Sequence, residues 1–198
     1  MASKSVFHIG EVKISKQSNA IGRVFFRLPG LTTISKMTCV DYWGISDRHF
    51  ATANKFRESG NVSKAIKYYK KALEANPENE LAHLHLGGIY SDSKKYSEAA
   101  KHYVRLIEMG KKRQPESETA KDVDNAKAIH AEGYDGLGKV FCDMGDYKTG
   151  IMLLEKSLDI QPSVSRKLAL YSLLMGLYTE TGNKEKAEQC QAFLYVVQ

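Results

Sequence analysis

Cysteine is scarce in this chain, and its three copies are scattered. Cys39, Cys142 and Cys190 stand far apart, are odd in number and form no CxxC pair. That argues against a disulfide framework and against a cysteine-built zinc cage, and the thiols read as reduced, in a cytosolic compartment. Proline is as sparse, with 4 in 198 residues, so long helices meet few breaks. No apolar run approaches the ~18 residues that a membrane-spanning helix needs. The N-terminus lacks the apolar stretch and small-residue cleavage site of a secretory signal. Acidic residues are nearly missing from the first 45 positions. There Lys4, Lys13, Lys16, Arg23, Arg27 and Lys36 face only Glu11 and Asp41. This leader therefore carries +4 of the formal +6, and the basic character belongs to it more than to the folded remainder.

What the remainder does hold is a period. Ala65 stands in Ser63-Lys64-Ala65-Ile66-Lys67-Tyr68-Tyr69, and 34 residues on Ala99 stands in Ser97-Glu98-Ala99-Ala100-Lys101-His102-Tyr103. Phe56 and Tyr90, Ala53 and Gly87, and Tyr69 and Tyr103 share the same offset. Phe141, Gly145, Tyr147 and Leu154 repeat Tyr90, Lys94, Tyr96 and Tyr103 after 51 residues, which is one period plus a 17-residue insertion. Tyr178, Gly182 and Ala187 follow after a further 37. A period of this length means stacked supersecondary units, each too small to bury its apolar face alone.

These places resemble the tetratricopeptide-repeat (TPR) family, whose pattern sets a large residue, Leu-Gly, an aromatic, Ala, an aromatic, Ala and Pro at fixed spacings. Repeat one offers His49, Thr52-Ala53, Phe56, Ala65, Tyr69, Ala72 and Pro77. Repeat two offers His83, Leu86-Gly87, Tyr90, Ala99, Tyr103 and Leu106, with Lys111 where the proline would stand. Repeat three offers Tyr134, Leu137-Gly138, Phe141, Gly150, Leu154, Ser157 and Pro162. Repeat four, with Tyr171, Leu174-Met175, Tyr178, Ala187, Gln191 and Leu194, departs at Met175 and Gln191 and reads as the C-terminal cap. The resemblance implies an all-α fold: a right-handed α-solenoid of about four helix–turn–helix units, helices A and B in each, with an irregular N-terminal leader. Small residues at Gly87 and Gly138, and Ala65 and Ala99 from helix B, would let the facing helix approach, the aromatics would fill the space between repeats, and glycines at 60, 145 and 182 would end helices in the left-handed conformation.

The organisation expected is a basic leader over 1–45, irregular or capping; repeats one and two over 46–110; a charged insertion over 111–130, extending a helix beyond Pro115; and repeats three and four over 131–198. In the leader, Val6–Ile9 and Arg23–Leu28 look β-like. A loosely packed cap, a basic segment touching an anionic membrane or a partner, a start-site artefact with Met37 as the true beginning, and a mitochondrial presequence all stay open for it.

The family's ligands lie in a groove lined by the A helices, so the resemblance places the candidate binding residues at Phe50, Asn54 and Arg57 in repeat one, Leu81 and Leu84 in repeat two, and Asp135 and Lys139 in repeat three. An apolar strip from Phe50, Leu81 and Leu84 would anchor one side chain of a bound peptide, with Asn54 satisfying its backbone. The alternative is that Leu81 and Leu84 pack against the leader or a neighbouring element. The subgroup that clamps chaperone C-terminal carboxylates needs cations that this chain replaces with Phe50, Glu132 and Gly136, and only Asn54 fits it.

No catalytic constellation, metal site or cofactor motif emerges. His83 and His85 would point roughly 200° apart on a helix, and His83 reads as a core histidine. Gly136-Leu137-Gly138-Lys139 lies within a predicted helix and lacks the rest of a phosphate-binding loop. Basic and aromatic residues are not interleaved on one face, so no nucleic-acid partner is expected. The chain therefore reads as a cytoplasmic protein-interaction scaffold or adaptor and not an enzyme, with proteins or peptides as partners. Homo-oligomers and peripheral association with a membrane or organelle surface through the leader are further expectations. The layout of leader plus short array resembles the magnetosome-associated type of TPR scaffold. A regulatory subunit of an enzyme or nucleic-acid complex is the alternative.

Overall fold

The computed structural model describes residues 6–9, 12–15, 23–26, 39–113, 120–160 and 163–197. It divides into two compact units, Met1–Asn79 and Glu80–Gln198. In the first, four short strands, β1 (Val6–Ile9), β2 (Val12–Ser15), β3 (Arg23–Phe26) and β4 (Cys39–Asp41), form an antiparallel meander. Phe7 pairs with Ile14, Ile14 with Phe26, and Phe25 with Cys39. The β-like stretches of the leader are thus strands, rich in the branched and aromatic side chains that suit a pleated surface. The start-site and targeting readings of the leader lie outside what this geometry addresses.

The helical array begins at Tyr42. Helices α1 (Tyr42–Glu58) and α2 (Val62–Ala75) make the hairpin of repeat one. Its core is built from small residues, with Ala53, Ala65 and Ala72 fully buried around the ring of Tyr69. Ser46, also fully buried, donates from Oγ to the Ala72 carbonyl at 3.0 Å and accepts from Asn79 Nδ2 at 2.9 Å.

The second unit stacks three hairpins: α3 (Glu80–Asp92) with α4 (Tyr96–Arg113), α5 (Ala120–Asp143) with α6 (Tyr147–Asp159), and α7 (Val164–Glu180) with α8 (Lys184–Val197). The insertion is shared between α4, which runs on to Arg113, and α5, which starts at Ala120; residues 114–119 are outside the described set. Large-on-small packing recurs along the stack. The Tyr103 ring lies where a Cβ on Gly87 would come within 2.8 Å of it, and a Cβ on Gly136 of α5 would overlap it from the other side. Leu154 takes the same place over Gly138, at 2.9 Å from the position a Cβ would occupy. A serine seam also recurs: Ser157 Oγ donates to the Ala131 carbonyl at 3.0 Å. The two residues stand at the repeat positions of Ala72 and Ser46, with donor and acceptor helices exchanged.

The four A-to-B turns share one hydrogen-bond pattern. The amides of Asn61, Lys95, Asp146 and Asn183 donate to the carbonyls of Phe56, Tyr90, Phe141 and Tyr178 at 2.8–2.9 Å, the outer bond of a Schellman cap. The residue before each donor has positive φ: Gly60, Gly145 and Gly182 in three turns, and Lys94 (φ 56°) in the fourth. Asn61 and Asp146 then cap the next helix by accepting from the Lys64 and Thr149 amides at 3.2 and 3.1 Å. Tyr178 meets the expectation that the repeat aromatics fill the space between repeats, packing with Leu154 of α6 and donating to Glu155, while two others differ from it. Phe56 stacks on Tyr68 at 5.3 Å and Tyr90 on His102 at 5.7 Å, both inside their own hairpins. Lys64 and Lys186, equivalent in the period, lie over Phe56 and Tyr178 at 5.2 Å.

Candidate functional site

In the second unit α3, α5 and α7 are successive neighbours on one face. Ser91 Oγ of α3 donates to Asp143 of α5 at 3.5 Å, and Arg166 of α7 pairs with Glu132 of α5 at 2.6 Å. Leu81 on α3 is 53% exposed, a large apolar side chain open to solvent, and Leu84 one turn on is half-buried. On α5, Lys139 bridges both carboxylate oxygens of Asp135, at 3.1 and 3.2 Å. A Cβ added at Gly88 of α3 or Gly176 of α7 would meet nothing within 4 Å. These two glycines have no packing partner to explain them, unlike Gly87 and Gly138. Cys142, which the period also puts on this face, packs toward Gly150 of α6, and burial with nearby carboxylates raises its thiol pKa.

The repeat-one candidates sit in the first unit. Phe50 and Asn54 belong to the hairpin core as much as to its surface. Phe50 lies 5.7 Å from the Tyr69 ring, and Asn54 Oδ1 accepts from the Tyr69 hydroxyl at 2.5 Å. That bond occupies one lone pair of the amide oxygen and leaves both N–H donors of Asn54 for a ligand. Arg57 is exposed; burial raises the Tyr69 phenol pKa, and the Arg57 guanidinium offsets part of the rise. The seven candidates thus fall into a trio on α1 and a quartet on α3 and α5, each within its own unit.

Two features escaped the sequence reading. His83 pairs not with His85 but with His102 across the α3–α4 hairpin, Nδ1 to Nδ1 at 2.9 Å, with the rings 5.1 Å apart. Such a bond needs one ring to donate and the other to accept, so the pair holds one shared proton. Among the described residues no group of three or more His, Cys, Asp or Glu side chains converges as a metal site would. The second feature is the close crossing of α4 and α5. A Cβ on Gly110 would stand 2.7 Å from the His130 Cα, and one on Gly133 would stand 2.9 Å from the Ile107 amide nitrogen. Above this crossing Tyr103 is buried, and desolvation with the carboxylates of Asp135, Asp92 and Asp143 pushes its phenol up to about 12. No helix among the described residues is long and apolar enough to cross a membrane.

Repeating helical hairpins with small-on-large seams and Schellman turns define the α-solenoid class. Residues 56–122 match the model of the tetratricopeptide-repeat family, and the helical hairpins fold as an α-solenoid of that type. A curated relative, human protein O-mannosyl-transferase TMTC1, is 32% identical over 65 residues, which is 33% of this chain and 7% of that protein. The chain thus spans a small fraction of the curated relative it matches. Among solved structures, BtubC (BKLC) from P. vanneervenii superposes with a TM-score of 0.67 at 18% identity, covering 83% of this chain and 66% of that one. The TPR2AB domain of yeast Sti1, solved in complex with pHSP90, gives 0.56 at 19% identity over 72% and 49%. MamA from Desulfovibrio magneticus RS-1 gives 0.53 at 15% over 76% and 73%. At these identities the likeness is one of fold.

Proposed function

We propose that this chain is a protein-interaction scaffold that holds a segment of a partner protein along its A-helix face. The observation that carries the reading is the exposure of Leu81 on the face that α3, α5 and α7 share, with open space beside Gly88 and Gly176. An apolar anchor with polar groups near it is what an extended or helical segment requires. Leu81 and Leu84 supply the anchor, and Asp135 and Lys139 supply charge on the neighbouring helix. Arg57 and the Asn54 amide serve the same purpose in the first unit. The Sti1 domain of similar fold is solved with pHSP90, which supports segment binding in general. The carboxylate chemistry does not carry over: Glu132, at one place where a clamp would need a cation, is already paired with Arg166. Work in the cytoplasm, self-association, and assembly on a membrane or organelle surface through the basic leader are narrower forms of the same proposal.

Affinity capture from the native host tests it. The intact chain is compared with Leu81→Arg and with Lys139→Glu, both at exposed side chains where folding is expected to survive. Partners lost from both variants, at unchanged melting temperature, support binding on the A-helix face. An unchanged catch moves binding off that face.

A further inference from the structure

The opposite, B-helix side of the second unit has a concavity of its own. Glu155 of α6 and Lys186 of α8 meet at 2.6 Å, so these B helices are neighbours, and between them a cleft of about 610 Å³ opens down to α7. That volume falls within the roughly 300–1,000 Å³ of small-ligand and side-chain pockets. The cleft exists for a packing reason. Where α4 crosses α5, glycines at 110, 133 and 136 bring the backbones together. Between α6 and α7 the contact is made by Leu154, Leu170, Leu174 and Tyr178, and these large side chains hold the helices apart.

The lining has two characters. Its floor and inner wall are apolar: Leu158, Leu174 and the Tyr171–Phe193 pair, whose rings stack with centroids 4.0 Å apart. Its rim is charged. Glu155 accepts from the Tyr178 hydroxyl at 2.5 Å and from Lys186, so its charge is answered inside the protein. Asp159 also lines the cleft, is exposed, and pairs with no cation among the described residues. The rim therefore carries one negative charge that Lys186 does not answer, above an aromatic and aliphatic floor.

We infer that this cleft is a second binding site, for a segment of a partner protein in which an aromatic or large aliphatic side chain is flanked by a basic one. The apolar side chain enters over Tyr171, Leu174 and Phe193, and the cation pairs with Asp159 at the rim. The site lies on the other face from the A-helix proposal and uses none of its residues, so the two stand or fall separately.

Fluorescence polarisation with a short fluorescein-labelled peptide, a phenylalanine pair flanked by arginines, tests this on the full chain. A twin peptide with glutamates in place of the arginines reads the charge requirement. The expected result is saturable binding of the arginine peptide, weakened about tenfold or more by Asp159→Lys, as reversal of an interfacial charge does. Gln189→Trp, an exposed lining position, abolishes binding by filling the mouth, Leu81→Arg leaves it unchanged, and the glutamate twin does not bind. Equal binding to Asp159→Lys, to Gln189→Trp and to the intact chain overturns the inference, as does binding of both peptides alike or of neither. Circular dichroism melts of the two cleft variants, both at exposed positions, confirm that any loss is not unfolding.

Discussion

At the scale of single residues, the same amino acid acts in opposite ways according to what faces it. Gly88 and Gly176 sit in helices with open space where a side chain would go. Glycine in a helix interior costs roughly 0.5–1 kcal/mol relative to alanine, so Gly88→Ala and Gly176→Ala should each stabilise by about that amount in urea or thermal melts. Gly133 faces the backbone of Ile107 and Tyr103, which cannot rotate away. Gly133→Ala should therefore destabilise by about 1–3 kcal/mol, the cost of overpacking. Equal effects at all three positions would refute this reading of the stack. Lys94 is the counterpart: it takes the left-handed conformation that glycine takes in the other three turns. A non-glycine residue there is strained by about 1–2 kcal/mol, part of which the greater freedom of unfolded glycine offsets. Lys94→Gly should raise the melting midpoint, and a fall would show that the turn is held by something other than backbone geometry.

At the scale of elements, pairing between helices has a pH signature. Burial alone would raise the pKa of Glu155, but hydrogen bonds from Lys186 and Tyr178 outweigh it and hold the carboxyl below its usual value. The Tyr178 phenol moves up, through burial and through the Glu155 charge that its hydroxyl serves. A carboxylate depressed on folding adds stability above the unfolded carboxylate range, near pH 4.5, and that contribution is lost as pH falls through the lower folded value. Denaturant titrations of the intact chain and Glu155→Gln should therefore differ most at neutral pH and converge in acid. A constant gap across the range would mean that the carboxylate's charge does no pairing there.

Element boundaries were legible where they follow from the period. Phe56, Tyr90, Phe141 and Tyr178 announce four helix ends by their spacing, and the glycines or Lys94 beyond them announce the turns. The Gly87 and Gly138 places foretold small-on-large seams, because one chemical requirement recurs in successive repeats. What did not repeat was not legible. Gly110 and Gly133 lie at the α4–α5 crossing on either side of the insertion, and neither stands at a place that the repeat pattern marks. The His83–His102 pair joins positions whose repeat-one counterparts are His49 and Tyr68, an ordinary aromatic contact. The cleft at α6, α7 and α8 comes from what large side chains fail to fill, and the pattern marks only the places that are filled. Two of the leader's strands, β1 and β3, were visible as β-like stretches, while β2 and β4 were not.

At the scale of the whole molecule, the chain is a set of helical hairpins in two compact units, and residues 56–122 match the tetratricopeptide-repeat family. Its A-helix face offers Leu81, Leu84, Asp135 and Lys139, and its B-helix face offers the Asp159 cleft. The most direct measurement is hydrogen–deuterium exchange on the chain with and without the partner recovered by affinity capture. The account predicts slowed exchange in the peptides spanning α3 and α5, centred on Leu81–Leu84 and Asp135–Lys139, and lost in Leu81→Arg. Protection confined to α4, α6 and α8, with α3 and α5 unchanged, would contradict it.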